Sequence, residues 1–410
     1  MRIGYDITIL YIARAGILYY NINLLRQLVT LAPADEFTFV DYVPVRQSLP
    51  LAAPIDDLLS PRVQWKVIDG PPHRKAIRWQ RLNFTGGRFF AQQVDAVLER
   101  PWLWWIDNRT RAVQRSVMRD LDVFHVSDVT QLVPEQGKVV ATIYDMSPVI
   151  FPQFHTSENR NTFGRKLQHI RQHADVLIAI SESTKRDIIE HLGFPETRIH
   201  VAYGGVDANF APLPNQAALR PTLAKYGLRE PGYILHVGTL EPRKNLVRLI
   251  EAYAQVRQRC GDVTPPLVLV GQNGWDSADI FTAVARHKLS DHVQIVGFVA
   301  DADLPALYSA AAFFVYPSLY EGFGLPIVEA LACGTPVLAA DNSCLPEAGG
   351  AGALYVKAED VGRIAAGIVR LAMDEVLRAQ LRRAGLVHAA HFTWERSARQ
   401  LLDAYARTLA

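Results

Sequence analysis

Two glutamates with seven residues between them, Glu321 and Glu329, flank a glycine-rich turn in the second half of the chain. The turn contains Gly322 and Gly324, and Pro326 follows at a position that suits the first turn of a helix. Glycines let backbone amides approach a ligand closely, and a helix N-terminus attracts anions because its amides are unpaired and its dipole is positive there. The turn therefore predicts a binding site for a diphosphate.

The positions of the two carboxylates predict different tasks. Glu329 is expected in the first turn or so of the helix, where a carboxylate can accept hydrogen bonds from a ribose diol. Glu321 lies on the loop and is free to reach a sugar. Glutamate pairs are common on helix faces and in caps, so the indication of a sugar-nucleotide site comes from their placement around the glycine loop.

A basic turn, Arg243 and Lys244, comes after the predicted strand Tyr233-Val237 and the Gly238-Thr239 pair that follows it. Two cations at the end of a strand would stabilise the negative charge that builds on a departing diphosphate. The alternative is a solvated basic turn. The position directly after a glycine-tipped strand favours ligand binding.

The segment EGFGLPIVEALACGTPV, which begins at Glu321, resembles the Glu-x7-Glu signature of the retaining glycosyltransferases with the glycosyltransferase-B architecture, known as family 4 or group 1. The resemblance covers most of the chain. It implies that Glu321 contacts the donor sugar, that Glu329 binds the ribose, and that Arg243 and Lys244 clamp the donor phosphates.

The same resemblance implies further site residues. Asp145 would orient the acceptor hydroxyl, with a cap of the following turn as the alternative, and Tyr144 stands where relatives carry a histidine. His125 is interpreted as structural, because the second histidine of the relatives' His-x-His pattern is absent. The expected donor-binding residues are Gly16, Gly238, Thr239, Gly271, Phe298, Val299, Gly322, Phe323, Gly324, Leu325 and Glu329.

The implied reaction transfers a hexose to a hydroxyl of a glycan or lipid-linked acceptor with retention of the anomeric configuration, and without a metal or other cofactor. The likeness to bacterial mannosyltransferases of O-antigen and exopolysaccharide assembly implies GDP-mannose as the first choice of donor. Alternatives are glucosyl or galactosyl transfer from a UDP-sugar, a nucleotide-sugar epimerase, and a non-catalytic sugar-nucleotide-binding protein. An NAD-dependent dehydrogenase ranks lower, because no G-x-G-x-x-G follows the first strand.

The elements that must position these residues read as parallel βα units, because short β-branched runs alternate with amphipathic segments in both halves. We predict an α/β fold of two Rossmann-like doubly wound domains that face a central cleft. Residues 1–204 form the acceptor-side domain, residues 205–390 form the nucleotide-sugar domain, and residues 391–410 form a helix that packs back on the first domain. A hinge is expected within residues 204–232, which are rich in glycine and proline.

Individual elements can be placed from the same periodicity. Strands are predicted at Ile3-Leu10, Phe37-Val43, Val123-Val126, Val139-Tyr144, Val176-Ile180, Ile199-Tyr203, Tyr233-Val237, Leu267-Val270, Val293-Val296, Phe313-Tyr316, Val337-Ala340 and Leu354-Val356. Helices in the second half are predicted at Leu246-Gln258, Ala278-His287, Leu304-Ala311, Pro326-Cys333 and Ala358-Ala372.

Composition limits the class of partner. Lysine and arginine total 43 against 41 aspartates and glutamates, so no nucleic-acid partner is expected. The three cysteines lack CxxC spacing, and the sequence shows neither a signal peptide nor a membrane span, so a cytoplasmic location is expected. The basic and aromatic residues from His73 to Trp105 have two interpretations: solvated charges with core tryptophans, or a face for peripheral contact with the inner membrane surface.

Overall fold

The computed structural model describes residues 1–12, 16–44, 55–70, 112–126, 133–213, 216–228 and 231–410. Its strands are β1 Arg2–Asp6, β2 Glu36–Pro44, β3 Val63–Gly70, β4 Val123–Val126, β5 Lys138–Ile143, β6 Val176–Ala179, β7 Ile199–Val201, β8 Ile234–Val237, β9 Leu267–Val270, β10 Val293–Gly297, β11 Phe313–Tyr316, β12 Val337–Ala340 and β13 Ala353–Val356. Its helices are α1 Ile9–Ile12, α2 Gly16–Leu31, α3 Ser147–Ile150, α4 Ser157–His173, α5 Glu182–Leu192, α6 Gln216–Lys225, α7 Leu246–Cys260, α8 Ala278–Arg286, α9 Leu304–Ala310, α10 Leu325–Ala332, α11 Leu345–Gly349, α12 Val361–Met373, α13 Glu375–Ala389 and α14 Trp394–Leu409.

The strands form two parallel sheets. The first has the order β3-β2-β1-β4-β5-β6-β7 and the second has the order β10-β9-β8-β11-β12-β13. In each sheet the chain builds outward from one central strand, then returns and builds in the other direction, which is the doubly wound plan. The predicted fold class is confirmed.

Both faces of each sheet are covered by helices, and this explains the composition of the central strands. Strands β4, β6, β9, β11 and β12 are buried at every position. A strand covered on both faces has no solvent side, so its sequence is a nearly continuous apolar run rather than an alternation. These strands are the ones whose bounds the sequence predicts most accurately.

The C-terminal helix α14 lies on the first sheet, although it follows the second in sequence. Trp394, Leu401 and Tyr405 are buried in one apolar cluster with Ile3 and Tyr20 of the first half. The chain passes between the two halves twice, near Val206 and near Phe392. These two connections lie side by side, because the Val206 amide donates to the Phe392 carbonyl at 3.0 Å. The domain limits at 204 and 390 stay a prediction.

Two features of the first sheet differ from the expectations. Strand β1 ends at Asp6, whereas the prediction continued it to Leu10. The Thr8 amide donates to the Asp6 carboxylate at 2.9 Å, which turns the chain so that Ile9–Ile12 form helix α1. The edge strand β3, Val63–Gly70, was missed, because an edge strand is buried only at some positions and carries no continuous apolar run.

The basic and aromatic stretch from His73 to Trp105 lies outside the described residues. None of the helices in the described part of the chain combines the length and the apolar composition that crossing a bilayer requires.

Candidate functional site

The candidate site lies where the winding direction of the second sheet reverses. Strands β8 and β11 are neighbours there, and the crossover connections leave them in opposite directions. Ligands of doubly wound proteins bind at such a point, because the loops that follow the two strands diverge and leave a crevice. The turn Pro242–Lys244 follows β8, and the loop with Glu321 follows β11.

A buried cluster of charged side chains joins these two loops. Glu321 accepts from Lys244 Nζ at 2.6 Å through Oε1 and from Arg243 Nη1 at 2.7 Å through Oε2. Arg243 Nη2 donates to Glu241 at 2.6 Å, and Lys244 Nζ also donates to the Tyr316 hydroxyl at 2.8 Å. Glu321 and Lys244 are less than a tenth exposed, so water screens these contacts little.

The electrostatics of the cluster follow from burial and pairing. Burial alone would raise the pKa of Glu321, but Arg243 and Lys244 outweigh it and hold that pKa at about 2. Burial lowers the pKa of Lys244, and the carboxylate of Glu321 opposes that shift. Burial raises the pKa of Glu241 against the pull of the two cations. The site therefore holds an ionised Glu321 between two cations.

Glu329 occupies a different environment at the other end of the loop. It is the fifth residue of α10, one position beyond the first turn, and its Oε2 accepts from the Tyr308 hydroxyl at 2.8 Å. Burial raises the pKa of Glu329 to about 7, and the negative charges of Asp301 and Asp207 add to the shift while the Tyr308 hydrogen bond opposes it. This carboxyl group is therefore close to half protonated near neutral pH.

The start of α2, in the first half, lies close enough to Glu329 to sense its charge. The Tyr19 hydroxyl in the first turn of α2 donates to Asp207; burial raises the pKa of Tyr19, and the charges of Asp207 and Glu329 add to the shift. Gly16 is the first residue of this helix, and the space where its side chain would be is open. Gly16 and Glu329 thus border one crevice from opposite halves of the chain.

Backbone hydrogen bonds join the carboxyl ends of strands β8, β9 and β10 to one another. The Gly238 amide donates to the Val270 carbonyl at 2.9 Å, and the Gly271 amide donates to the Gly297 carbonyl at 2.8 Å. Beyond Gly297, Phe298 is 65% exposed, whereas Val299 is buried in the core. The loop after β10 therefore presents an exposed apolar ring at Phe298 and anchors itself in the core through Val299.

Gly322 and Gly324, on either side of Phe323, occupy positions that favour glycine. A side chain on Gly322 would lie 2.0 Å from the Tyr144 carbonyl oxygen and 3.1 Å from the Asp145 Cβ, so only glycine allows this contact between the halves. Gly324 has φ 94°, a left-handed conformation that glycine adopts freely, and it precedes the first residue of α10, Leu325. Asp145 therefore lies against the loop that carries Glu321.

Polar groups of α5 hold the same loop from the first half. The Gly322 carbonyl accepts from the hydroxyls of Ser181 at 2.6 Å and Thr184 at 3.1 Å. Glu347 accepts from the amides of Glu182 and Ser183, each at 2.7 Å, at the N-terminus of α5. A carboxylate is favourable there, because it pairs amides that have no partner within the helix.

A chain of hydrogen bonds leads from Asp145 toward the mouth of the cleft. Asp145 Oδ1 accepts from the Ser147 hydroxyl at 2.8 Å and from the Ser147 amide at 2.9 Å. The Ser147 hydroxyl is 3.0 Å from His155 Nε2. Burial lowers the pKa of His155, which favours the neutral ring. His125 lies elsewhere, fully buried between Tyr405 and Thr142.

The structure brings together four of the residues that the sequence singles out. Arg243, Lys244 and Glu321 form one cluster, and Asp145 borders it. Other residues of the site were not singled out: Tyr308, Tyr316, Glu241, Ser147 and His155. Tyrosines in a strand or helix of an α/β core are usually packing residues, so the sequence contains no signal that marks Tyr308 and Tyr316 as partners of site carboxylates and cations. Among the described residues, no group of three histidine, cysteine or acidic side chains is arranged to hold a metal ion.

Comparison with known families matches both halves of the chain. Residues 70–210 match the family described as Glycosyltransferase Family 4, and residues 222–387 match the family described as Glycosyl transferases group 1. The O-antigen chain mannosyltransferase B of Escherichia coli is 35% identical over 268 residues, which cover 65% of this chain and 70% of that protein.

Solved structures share the whole architecture. Sucrose-phosphate synthase from Thermosynechococcus elongatus superposes with a TM-score of 0.69 at 20% identity, over 99% of this chain and 98% of that one. HepE from Anabaena, solved in complex with UDP-glucose, superposes with a TM-score of 0.68 at 17% identity, over 99% of this chain and 100% of that one. At these identities the similarity establishes the fold alone.

Proposed function

The chain belongs to the group 1, family 4 glycosyltransferases and has their glycosyltransferase-B fold, and from that premise we propose that it transfers mannose from GDP-mannose to a glycan hydroxyl with retention of configuration. The 35% identity to an O-antigen chain mannosyltransferase supports the choice of sugar. The acceptor is a growing glycan, lipid-linked by analogy with O-antigen assembly.

This proposal rests on the buried cluster of Arg243, Lys244 and Glu321, which lies where the winding direction of the second sheet reverses. Burying two cations and a carboxylate is costly, and hydrophobic residues of similar volume often give equal stability. A cluster of this kind is therefore better explained by a ligand than by folding. The donor diphosphate supplies the negative charge that the two cations attract.

In the proposed reaction the bond between the sugar C1 and the diphosphate oxygen breaks, and a bond between C1 and the acceptor oxygen forms on the same face. Arg243 and Lys244 stabilise the charge that develops on the leaving diphosphate, and the amides of Gly324 and Leu325 assist them. Glu321 contacts the donor sugar. The acceptor proton passes to the departing phosphate oxygen, so the protein needs no nucleophile of its own.

Asp145 and Glu329 have supporting roles in this proposal. Asp145 is fixed by the Ser147 hydroxyl and amide beside the Glu321 loop, where it can orient the acceptor hydroxyl. Glu329 accepts from the ribose hydroxyls in addition to Tyr308. Phe298 and Val299 border the base.

We propose that the reaction needs no divalent metal, because the charge that a metal ion would provide to the diphosphate is supplied by Arg243 and Lys244. Transfer measured in excess EDTA is expected to keep the rate seen without chelator. A loss of rate that added Mg²⁺ or Mn²⁺ restores would contradict this part of the proposal.

The donor nucleotide has a second candidate. HepE, which has the same fold, was solved with UDP-glucose, so a UDP-linked glucose or galactose is the second candidate donor. Incubation with GDP-mannose, UDP-glucose or UDP-galactose and an octyl α-mannoside acceptor separates them. The proposal expects GDP release and a mannosylated product with an α linkage, seen by NMR of the anomeric proton.

The same experiment tests the other classes of function. A nucleotide-sugar epimerase would change the sugar of the donor without an acceptor, and a binding protein would show a thermal shift without product. A β-linked product would contradict retention. We propose that the enzyme acts in the cytoplasm. With a lipid-linked acceptor, it would contact the inner membrane surface peripherally.

A further inference from the structure

Trp275 is a large, partly exposed aromatic residue that the proposed reaction does not use. It is 40% exposed, and it lies in the loop between β9 and α8. The loop is tied to the turn after β8, since the Leu240 amide donates to the Gln272 carbonyl at 2.9 Å and the Gly274 amide donates to the Leu240 carbonyl at 3.0 Å. The loop of Trp275 thus lies beside the turn that leads into Arg243 and Lys244.

Trp275 contacts His155 of the first half of the chain. Its ring centroid is 6.1 Å from that of His155, and the two ring planes are inclined by 38°. His155 is in turn joined through Ser147 to Asp145. Three consecutive contacts therefore lead outward from the residue proposed to orient the acceptor hydroxyl to an exposed indole.

The charged groups near His155 place this path next to the reaction centre. Arg243 and Arg160 lower the pKa of His155 together with burial, and Asp145 opposes them. Asp145 also contributes to the raised pKa of Arg243. The path from Asp145 to Trp275 is therefore continuous with the cluster that would hold the donor.

The chemistry of the path suits a sugar ring. The face of an indole ring carries a partial negative charge, so it attracts the partly positive C–H groups on the apolar face of a pyranose. Gln272 and Asn273, two exposed residues that precede Trp275 in the same loop, have side-chain amides that offer both donors and acceptors to sugar hydroxyls. An aromatic face with a few adjacent polar groups is the usual composition of a small-molecule site.

We propose that Trp275 and His155 form a second acceptor subsite, which stacks the sugar that precedes the one carrying the accepting hydroxyl. This inference rests on the proposed glycosyl transfer. It makes the enzyme selective for an acceptor of at least two sugar units, because only such an acceptor reaches from Asp145 to the indole.

The test compares two acceptors, octyl α-mannoside and octyl α-mannobioside, in the wild type and in Trp275→Ala, Trp275→Phe and Phe281→Ala. Phe281 is a matched control, because it is 42% exposed on α8 in the same half of the chain. The wild type is expected to have a KM for the bioside about tenfold lower than for the monoside. Trp275→Ala is expected to remove this preference, Trp275→Phe to keep most of it, and Phe281→Ala to leave it unchanged.

Two results would overturn the inference: a bioside preference that persists in Trp275→Ala, or a wild type that does not distinguish the two acceptors. Circular dichroism and the thermal shift induced by GDP check that each variant is folded and still binds the donor nucleotide. If the proposed function itself is wrong, the outcome differs, because the wild type would then transfer hexose to neither acceptor.

Discussion

Glu321 and Lys244 form a buried ion pair, with 2.6 Å between Oε1 and Nζ. Each residue lies on a different loop, and Arg243 approaches the second oxygen of the same carboxylate. The pairing fixes both cations before any donor arrives. In the proposed mechanism this preorganisation lowers the cost of stabilising the leaving group, because the charges need not reorient during the reaction.

The first prediction concerns Lys244. Lys244→Ala removes one of the two cations that face the leaving diphosphate, and we expect kcat to fall by about 10² to 10³ fold. Initial rates with GDP-mannose measure the effect. Lys357→Ala is the matched control, because Lys357 is an exposed lysine of the same half, and it should keep the wild-type rate. A Lys244→Ala enzyme with the wild-type kcat would contradict the assigned role.

A second prediction concerns stability at low pH. The folded-state pKa of Glu321 is depressed from 4.5 to about 2, so its contribution to the free energy of unfolding is present above pH 4.5 and is lost as the pH falls toward 2. The loss is on the order of 3 kcal/mol. Urea denaturation at pH 5 and pH 3 is expected to show roughly 2 kcal/mol of this loss, because the folded-state carboxylate is still mostly ionised at pH 3.

The control for this effect is Glu321→Gln. The variant is expected to be less stable than the wild type at pH 6 by about 3 kcal/mol, because two cations stay buried without their carboxylate. Its free energy of unfolding should also decline less steeply between pH 5 and pH 3. Parallel declines in the two proteins would show that Glu321 is not the titrating group.

Glu329 is expected to give the opposite dependence on pH. Its folded-state pKa is raised to about 7, so the native state binds more protons than the unfolded state between pH 4.5 and 7. The free energy of unfolding should therefore decrease as the pH rises through this window, by roughly 3 kcal/mol from this group. Glu329→Gln, which is neutral throughout, should lack that component. A variant with the wild-type slope would contradict the shifted pKa.

The contact between the halves gives a fourth prediction. Glu347→Ala removes the carboxylate that accepts from the amides of Glu182 and Ser183, and we expect the cleft to open more often. Small-angle scattering should then show a larger radius of gyration, and the acceptor-independent hydrolysis of the donor should increase relative to transfer. Glu190→Ala, on an exposed position of the same helix, is the control. Identical scattering from both variants would refute this role for Glu347.

The parts of the fold that the sequence predicts are those with a local cause. The loop around Glu321 and Glu329 can be recognised because its glycines, its proline and the following apolar turn all lie within one short segment. The central strands can be recognised because burial on both faces leaves mostly apolar residues. In each case neighbouring residues carry the whole signal.

The remaining parts depend on contacts between distant segments. Tyr308 and Tyr316 become partners of Glu329 and Lys244 only after the second sheet has formed, and a tyrosine that packs in the core has the same local sequence. The contact of Gly322 with the Tyr144 carbonyl joins the two halves, so no local pattern indicates it. Strand β3 was missed for the related reason that an edge strand needs only one apolar face.

A crystal structure with bound GDP would show whether Arg243, Lys244, Glu321 and Glu329 together hold a nucleotide-linked sugar. We expect the diphosphate within hydrogen-bond distance of Arg243, Lys244 and the amides at Gly324 and Leu325, with the ribose hydroxyls on Glu329. GDP bound elsewhere, with the ion pair between Lys244 and Glu321 facing empty solvent, would contradict it.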